Sequence, residues 1–264
     1  MIVTTSRSVT TGVCSVSLRA LEPSDVIAEV ARTGLDGIEW GADIHVPVGD
    51  ARRARAVADE TEAAELRVLS YGSYWRAEDN DFGRVLETAH ALRAPRVRVW
   101  AGSTGSAEAT ARSRTATIDR LRDAADSAAD AGIELGTEFH SGTLTDTTSS
   151  AADLVREIGH PNLRTYWQPP IGMDDDRALA SLGSLIDSTS SIHVFSWWPQ
   201  TERRRLAERE SLWAAVCARL LGSAGPHDML LEFLPDDDPR LLAPEGEYLR
   251  DLLDRTRSSA ETSE

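Results

Sequence analysis

The chain has 264 residues, 41% of them hydrophobic, with 43 acidic against 28 basic residues and a net charge near −15. That is enough for one large core or two ordinary domains, and the acidic balance argues against nucleic acid as a partner. Every basic residue is arginine, which excludes Schiff-base chemistry, a lysine-anchored pyridoxal group and a P-loop lysine, since each needs an ε-amine.

Short Val-, Ile- and aromatic-rich runs alternate with helical patterns along the chain. The expected strands are Gly12–Leu18, Gly37–Trp40, Arg67–Tyr71, Arg96–Ala101, Ile133–Phe139, Leu163–Gln168, Ser191–Phe195 and Met229–Phe233. Helical spacing of apolar residues marks Ser24–Thr33, Ala51–Glu65, Phe82–Leu92, Arg114–Ala131, Ala151–Ile158, Asp175–Ile186, Arg204–Leu221 and Glu245–Arg255. Eight strand–helix units in about 250 residues predict a single (β/α)8 TIM barrel over residues 1–255. Residues 256–264 read as a flexible polar tail. A doubly wound open sheet is the competitor, but GVCSVSLRAL lacks the Gly-rich phosphate loop that such a fold carries after an early strand. Cys14 and Cys217 are too few for a disulfide framework or a thiolate zinc site. No apolar run reaches the roughly 18 residues of a membrane span, and MIVTTSRSVTTG has no apolar signal core, so a soluble cytoplasmic protein is expected.

In such a barrel the functional face lies at the C-terminal strand ends. Six of the seven tryptophans, at 40, 75, 100, 167, 197 and 198, fall at or just after expected strand ends, as do His45, His140 and His193. They are consistent with either a plugged barrel mouth or an aromatic-walled pocket suited to sugar C–H faces. Glu138, Gln168, His193 and Glu232 come from four consecutive strands, each near its end. Neighbouring strands lie about 4.8 Å apart, so these side chains can converge. A divalent metal would neutralise the two glutamates, whereas a buried hydrogen-bond network is the plainer alternative.

Several segments together resemble the xylose isomerase-like barrel superfamily, and within it the sugar phosphate isomerase/epimerase group. They are GLDGIEWGADIHVP, SYGSYWR, RVRVWAG, TEFHSGTLTDT, YWQP, IHVFSWW and LLEF. The resemblance implies metal ligands at Glu138, Gln168, His193 and Glu232, with Gln168 departing from the usual aspartate. It implies one divalent ion, manganese first, with magnesium, cobalt or zinc as alternatives. It also implies a small keto-sugar or polyol ketone as substrate, isomerised or epimerised by Glu138 and Glu232 through a metal-stabilised enediolate. Two alternatives on the same site are a lyase, either a dehydratase or a carbon-glycoside-cleaving enzyme, and a non-catalytic sugar binder. Expected substrate contacts are His140, His45, Trp40, Trp100, Trp197 and Tyr71. Arg98 is expected inside the barrel, paired with a core carboxylate, and Cys14 is read as core. Related proteins include monomers, dimers and tetramers, so a homodimer is among the states the resemblance allows.

Overall fold

The computed structural model describes residues 9–261. Eight parallel strands close into a barrel. They are β1 (Val9–Cys14), β2 (Gly37–Gly41), β3 (Arg67–Gly72), β4 (Arg96–Val99), β5 (Glu134–Thr137), β6 (Leu163–Trp167), β7 (Thr189–Val194) and β8 (His227–Leu231). Each strand neighbours the next in sequence, and β8 closes onto β1 with Val9 opposite His227 and Val13 opposite Leu231. Helices α1 (Pro23–Ala31), α2 (Ala51–Ala63), α3 (Phe82–Ala91), α4 (Ala111–Asp130), α5 (Thr148–Ile158), α6 (Asp175–Leu185), α7 (Glu210–Gly222) and α8 (Leu242–Glu261) follow the strands in order. This is a single (β/α)8 TIM barrel.

Local chemistry sets the helix starts. Asp50, Thr110, Thr147 and Asp174 each accept a hydrogen bond from the backbone N–H three residues on, satisfying a donor that the first turn leaves free. The inward stripe of α4, Thr117, Ile118, Leu121, Ala124, Ala125 and Ala128, is buried at helical spacing. Each such Leu or Ile contributes about 1.5–3 kcal/mol.

The expected strands run past the observed ones at the barrel mouth. β1 stops at Cys14 because its ladder runs out there: Cys14 pairs with Glu39 and Val13 with Leu231. Ser15–Leu18 then turns as a short 3-10 helix. Arg203 and Arg204 are not the start of a helix. They pair antiparallel with Trp197 and Ser196 in a small hairpin after β7, and α7 begins at Glu210. Residues 256–261, expected as tail, continue α8, while 262–264 lie outside the described residues.

The barrel interior is strongly polar. In its lower layer Arg96 donates to Ser191 and Asp228 at 2.6 Å, and it also pairs with Glu134. Above it, Cys14, Val16, Leu69, Tyr166 and Leu230 form a small buried cluster. Gly136 leaves room for Tyr166, since a Cβ there would lie 2.5 Å from the ring.

Candidate active site

Strand parity decides which side chains reach the barrel mouth. At the end of β2, Glu39 points inward and Trp40 outward. The β2–β3 ladder shifts at Ile38/Glu39, placing Glu39 opposite Ser70 and Trp40 opposite Tyr71. Ser70 Oγ donates to Glu39 at 2.6 Å, as does Tyr166 OH at 3.0 Å. Arg98, inward from β4, donates from Nε to Glu39 Oε1 at 2.9 Å and from Nη1 to Glu138 Oε2. Gly72 makes this approach possible, because a Cβ there would lie 2.6 Å from Arg98 Nη2. Burial alone would push the Glu39 carboxyl up, but Arg98, His193 and Ser70 hold it well below the usual carboxylate range.

Glu138 and Glu232 each sit one residue past a strand end, their N–H groups continuing the ladders to Val99 O and Val194 O. Glu138 Oε2 accepts from Arg98 and, at 2.6 Å, from Trp100 Nε1. Its other oxygen lies 3.8 Å from His193 Nδ1. Around the same nitrogen stand Gln168 Oε1 at 3.0 Å and Glu232 Oε2 at 3.3 Å. His193 is fully buried, and Glu232 Oε2 is a buried oxygen with no hydrogen-bond partner. Burial pushes the His193 imidazole down, but Glu232 and Cys14 outweigh it and raise it well above its ordinary value.

Three oxygens, two of them anionic, thus crowd one imidazole nitrogen in a dry setting. Glu232 Oε2 accepts no hydrogen bond there, and the group that faces it is the His193 ring, 3.3 Å away, so an added cation would offset its desolvation. Ligand atoms around a small divalent ion lie about 3–4 Å apart when each is about 2.1 Å from the ion, and the three distances measured from His193 Nδ1 are of that order. Glu138, Gln168, His193 and Glu232 therefore fit a divalent metal.

A cavity of about 610 Å³ opens above the cluster. Glu138, Gln168 and Glu232 form its acidic floor, with Arg98 beside them. Its walls include Tyr74, Trp100, Phe195, Trp197 and Phe233, and Arg19 and His140 reach it from the rim. The His140 ring stacks on Trp100 with centroids 4.2 Å apart. His140 Nδ1 donates to the Ser141 carbonyl at 2.6 Å, which leaves Nε2 with the lone pair.

Of the expected substrate contacts, His140, Trp100 and Trp197 line this cavity, whereas Trp40, His45 and Tyr71 do not. Trp40 is fully buried on the outer face of the barrel, edge-on to His45. His45 is locked between Ser15 Oγ at 2.9 Å and Leu21 O at 3.1 Å. Tyr71 OH donates to Val46 O at 2.8 Å. Parity put Trp40 and Tyr71 under the helices, and His45 became part of the seam that holds the β1 and β2 loops together. Glu39 is the central side chain that sequence reasoning passed over. Its signal was a carboxylate inside the apolar run GIEW, with only one of two adjacent positions able to face inward.

The model of the family described as xylose isomerase-like TIM barrel matches residues 27–171. The chain belongs to that family. The matched part of this xylose isomerase-like barrel holds Glu39, Arg98, Glu138 and Gln168, while His193 and Glu232 come from the strands beyond it. A 3-dehydroshikimate dehydratase from Bacillus anthracis is 26% identical over 167 residues. That alignment covers 57% of this chain and 58% of the relative's length. Among solved structures, a probable 3-DHS dehydratase from Bacillus anthracis superposes with a TM-score of 0.74 at 16% identity, covering 91% of this chain and 98% of that one. A D-allulose 3-epimerase from Methylomonas sp. gives 0.72 at 16% identity, covering 93% and 98%. At these identities the superpositions establish the shared fold. By their names these two neighbours are a dehydratase and a sugar epimerase, and none of the described helices is long and apolar enough to cross a membrane.

Proposed function

We propose that this barrel is a metal-dependent enzyme that removes the proton beside the ketone of a small polyhydroxylated substrate and then expels a β-hydroxyl as water. A cation held by Glu138, Gln168, His193 and Glu232 would supply Lewis acidity toward the ketone oxygen. The unequal treatment of the two glutamates carries the reading. Epimerisation returns a proton to the opposite face and needs a mobile acid or base on each side of the substrate. Glu138 is not mobile, because Arg98 and the Trp100 N–H both hold its Oε2.

His140 takes the proton in this scheme and, as the imidazolium, returns it to the departing β-hydroxyl, which leaves as water. Its Nδ1–H is tied to Ser141, so Nε2 is the basic nitrogen, and stacking on Trp100 fixes the ring at the cavity rim. Arg98 holds Glu138 Oε2 and leaves the other oxygen turned toward His193. The aromatic wall excludes water from the carbanion-like species. Arg19 at the rim, half-exposed and paired with Asp43 at 2.5 Å, suits an acidic group on the substrate. The partial similarity to a 3-dehydroshikimate dehydratase supports a cyclic hydroxy-keto acid of that type.

Sugar epimerisation is the second reading. It is favoured by the presence of both Glu138 and Glu232 on the cavity floor and by the fold shared with a D-allulose 3-epimerase. Mass spectrometry separates the two after incubation of metal-loaded protein with 3-dehydroshikimate and with a panel of free ketohexoses. Loss of one water from the keto acid supports dehydration. Inversion of a ketohexose at unchanged mass, with the keto acid untouched, overturns it in favour of epimerisation.

A further inference from the structure

At the cavity rim the Trp100 indole is covered on both faces. The guanidinium carbon of Arg76 lies over the ring, 3.9 Å from its centroid. The His140 imidazole stacks on the same ring at 4.2 Å, with 22° between the planes. Non-bonded atoms need about 3.5–4.0 Å between them, so two planar groups this close to one centroid cannot share a face. Arg76 and His140 therefore sandwich the indole. Its Nε1 donates to Glu138 Oε2 at 2.6 Å, and the Tyr74 ring meets it edge-on at 5.8 Å. Main-chain bonds clasp the two loops together, Trp100 N–H to Trp75 O at 2.8 Å and Gly102 N–H to Arg76 O at 2.9 Å.

Arg76 does not line the cavity, and among the described residues its guanidinium has no ion pair. The electron-rich indole face is the contact its charge makes. His140, in turn, is thinly held. Its ring has one hydrogen bond, to the carbonyl of the adjacent Ser141, so the plane of the indole decides where Nε2 points. We propose that Arg76 is a positioning residue: by capping the far face of Trp100 it fixes the platform on which His140 stacks, and so keeps Nε2 aimed at the substrate. The inference rests on the proposed role of His140 as the base. Without the guanidinium the far face of the indole would open to solvent and the ring could tilt, carrying His140 with it. A misplacement of about 1 Å is enough to cost about 10²-fold in rate.

Proton NMR of the full chain loaded with zinc, which is diamagnetic, reads the platform without substrate at one fixed pH. The ring current of a stacked indole moves a histidine Cε1–H resonance upfield. His140, assigned by its loss in His140→Ala, should show that shift in the wild type and in Arg76→Lys, which keeps a cation, and lose it in Arg76→Ala. In Arg76→Ala kcat should fall about 10–100-fold with KM and zinc content near wild type, and Arg76→Lys should recover most of the loss. Arg76→Met, which keeps aliphatic bulk without charge, takes the place of Arg76→Ala if that variant fails to fold. An unshifted resonance in the wild type, a shift retained in Arg76→Ala, or a kcat within a few-fold of wild type overturns the role. So does a raised KM at unchanged kcat, which would make Arg76 a substrate ligand instead. Turnover of neither 3-dehydroshikimate nor a ketohexose by the wild type removes the proposed reaction, and the NMR comparison alone then decides whether Arg76 fixes the ring.

Discussion

Arg98 and Glu39 form a buried ion pair at the heart of the barrel, Nε to Oε1 at 2.9 Å, with side-chain exposures of 3% and 2%. Arg98 also holds Glu138, so this pair fixes one wall of the cluster around His193. Glu39→Gln leaves a buried guanidinium short of its partner and should destabilise the fold by about 3–5 kcal/mol. The pH dependence follows from the depressed Glu39 carboxyl. A lowered folded value gives stability that is present above the unfolded value and is lost as pH falls through the folded one. Denaturant titrations from neutral to acid pH should therefore show the gap between wild type and Glu39→Gln narrowing on the acid side. A constant gap would contradict the assignment.

His140→Ala removes the proposed base without touching any of the four residues assigned to the cation. Turnover should fall about 10²–10⁴-fold. Metal content and melting temperature should stay near wild-type values, since the His140 ring sits at the rim with its hydrogen bond to Ser141 O and the backbone bond from Thr143 survives the substitution. Turnover within a few-fold of wild type would remove His140 from the mechanism.

Metal uptake should be coupled to protons at His193. Glu232 and Cys14, against the opposing effect of burial, raise that imidazole well above its ordinary value in the metal-free chain. A cation needs the neutral ring, so binding expels a proton and apparent affinity should climb with pH, by about tenfold per unit for one proton. Calorimetry in buffers of different ionisation enthalpy reads the proton count directly, and a count of zero would contradict this. Saturation at a hundred times the dissociation constant should also stabilise the fold by about 2.7 kcal/mol, a rise of about 5–10 °C in melting temperature for a domain of this size.

Much of this architecture is legible in the sequence because barrel strands and helices alternate with different hydrophobic periods. The strand-end positions of Glu138, Gln168, His193 and Glu232 follow directly from that alternation. What sequence could not resolve was parity at single residues. Glu39 and Trp40 are adjacent, and a ladder shift between β2 and β3 settles which one enters the barrel. Tyr71 is misjudged for the same reason, being opposite Trp40 in that ladder. His45 lies in a loop whose path depends on Ser15 and Leu21, some 24 to 30 residues away. Of the six tryptophans at strand ends, Trp100 and Trp197 reach the cavity. Trp167 instead turns outward to donate to Ser181 at 2.9 Å, a contact set by α6 packing rather than by its own strand.

Glu138, Gln168, His193 and Glu232 are proposed to hold one divalent cation between them. Elemental analysis of the purified protein beside Glu232→Ala, prepared identically and shown to be folded by circular dichroism, tests this most directly. About one equivalent of metal in the wild type and none in the variant is the expected result. Equal metal in both, or none in the wild type even after soaking with zinc, cobalt, manganese and magnesium in turn, would contradict the account.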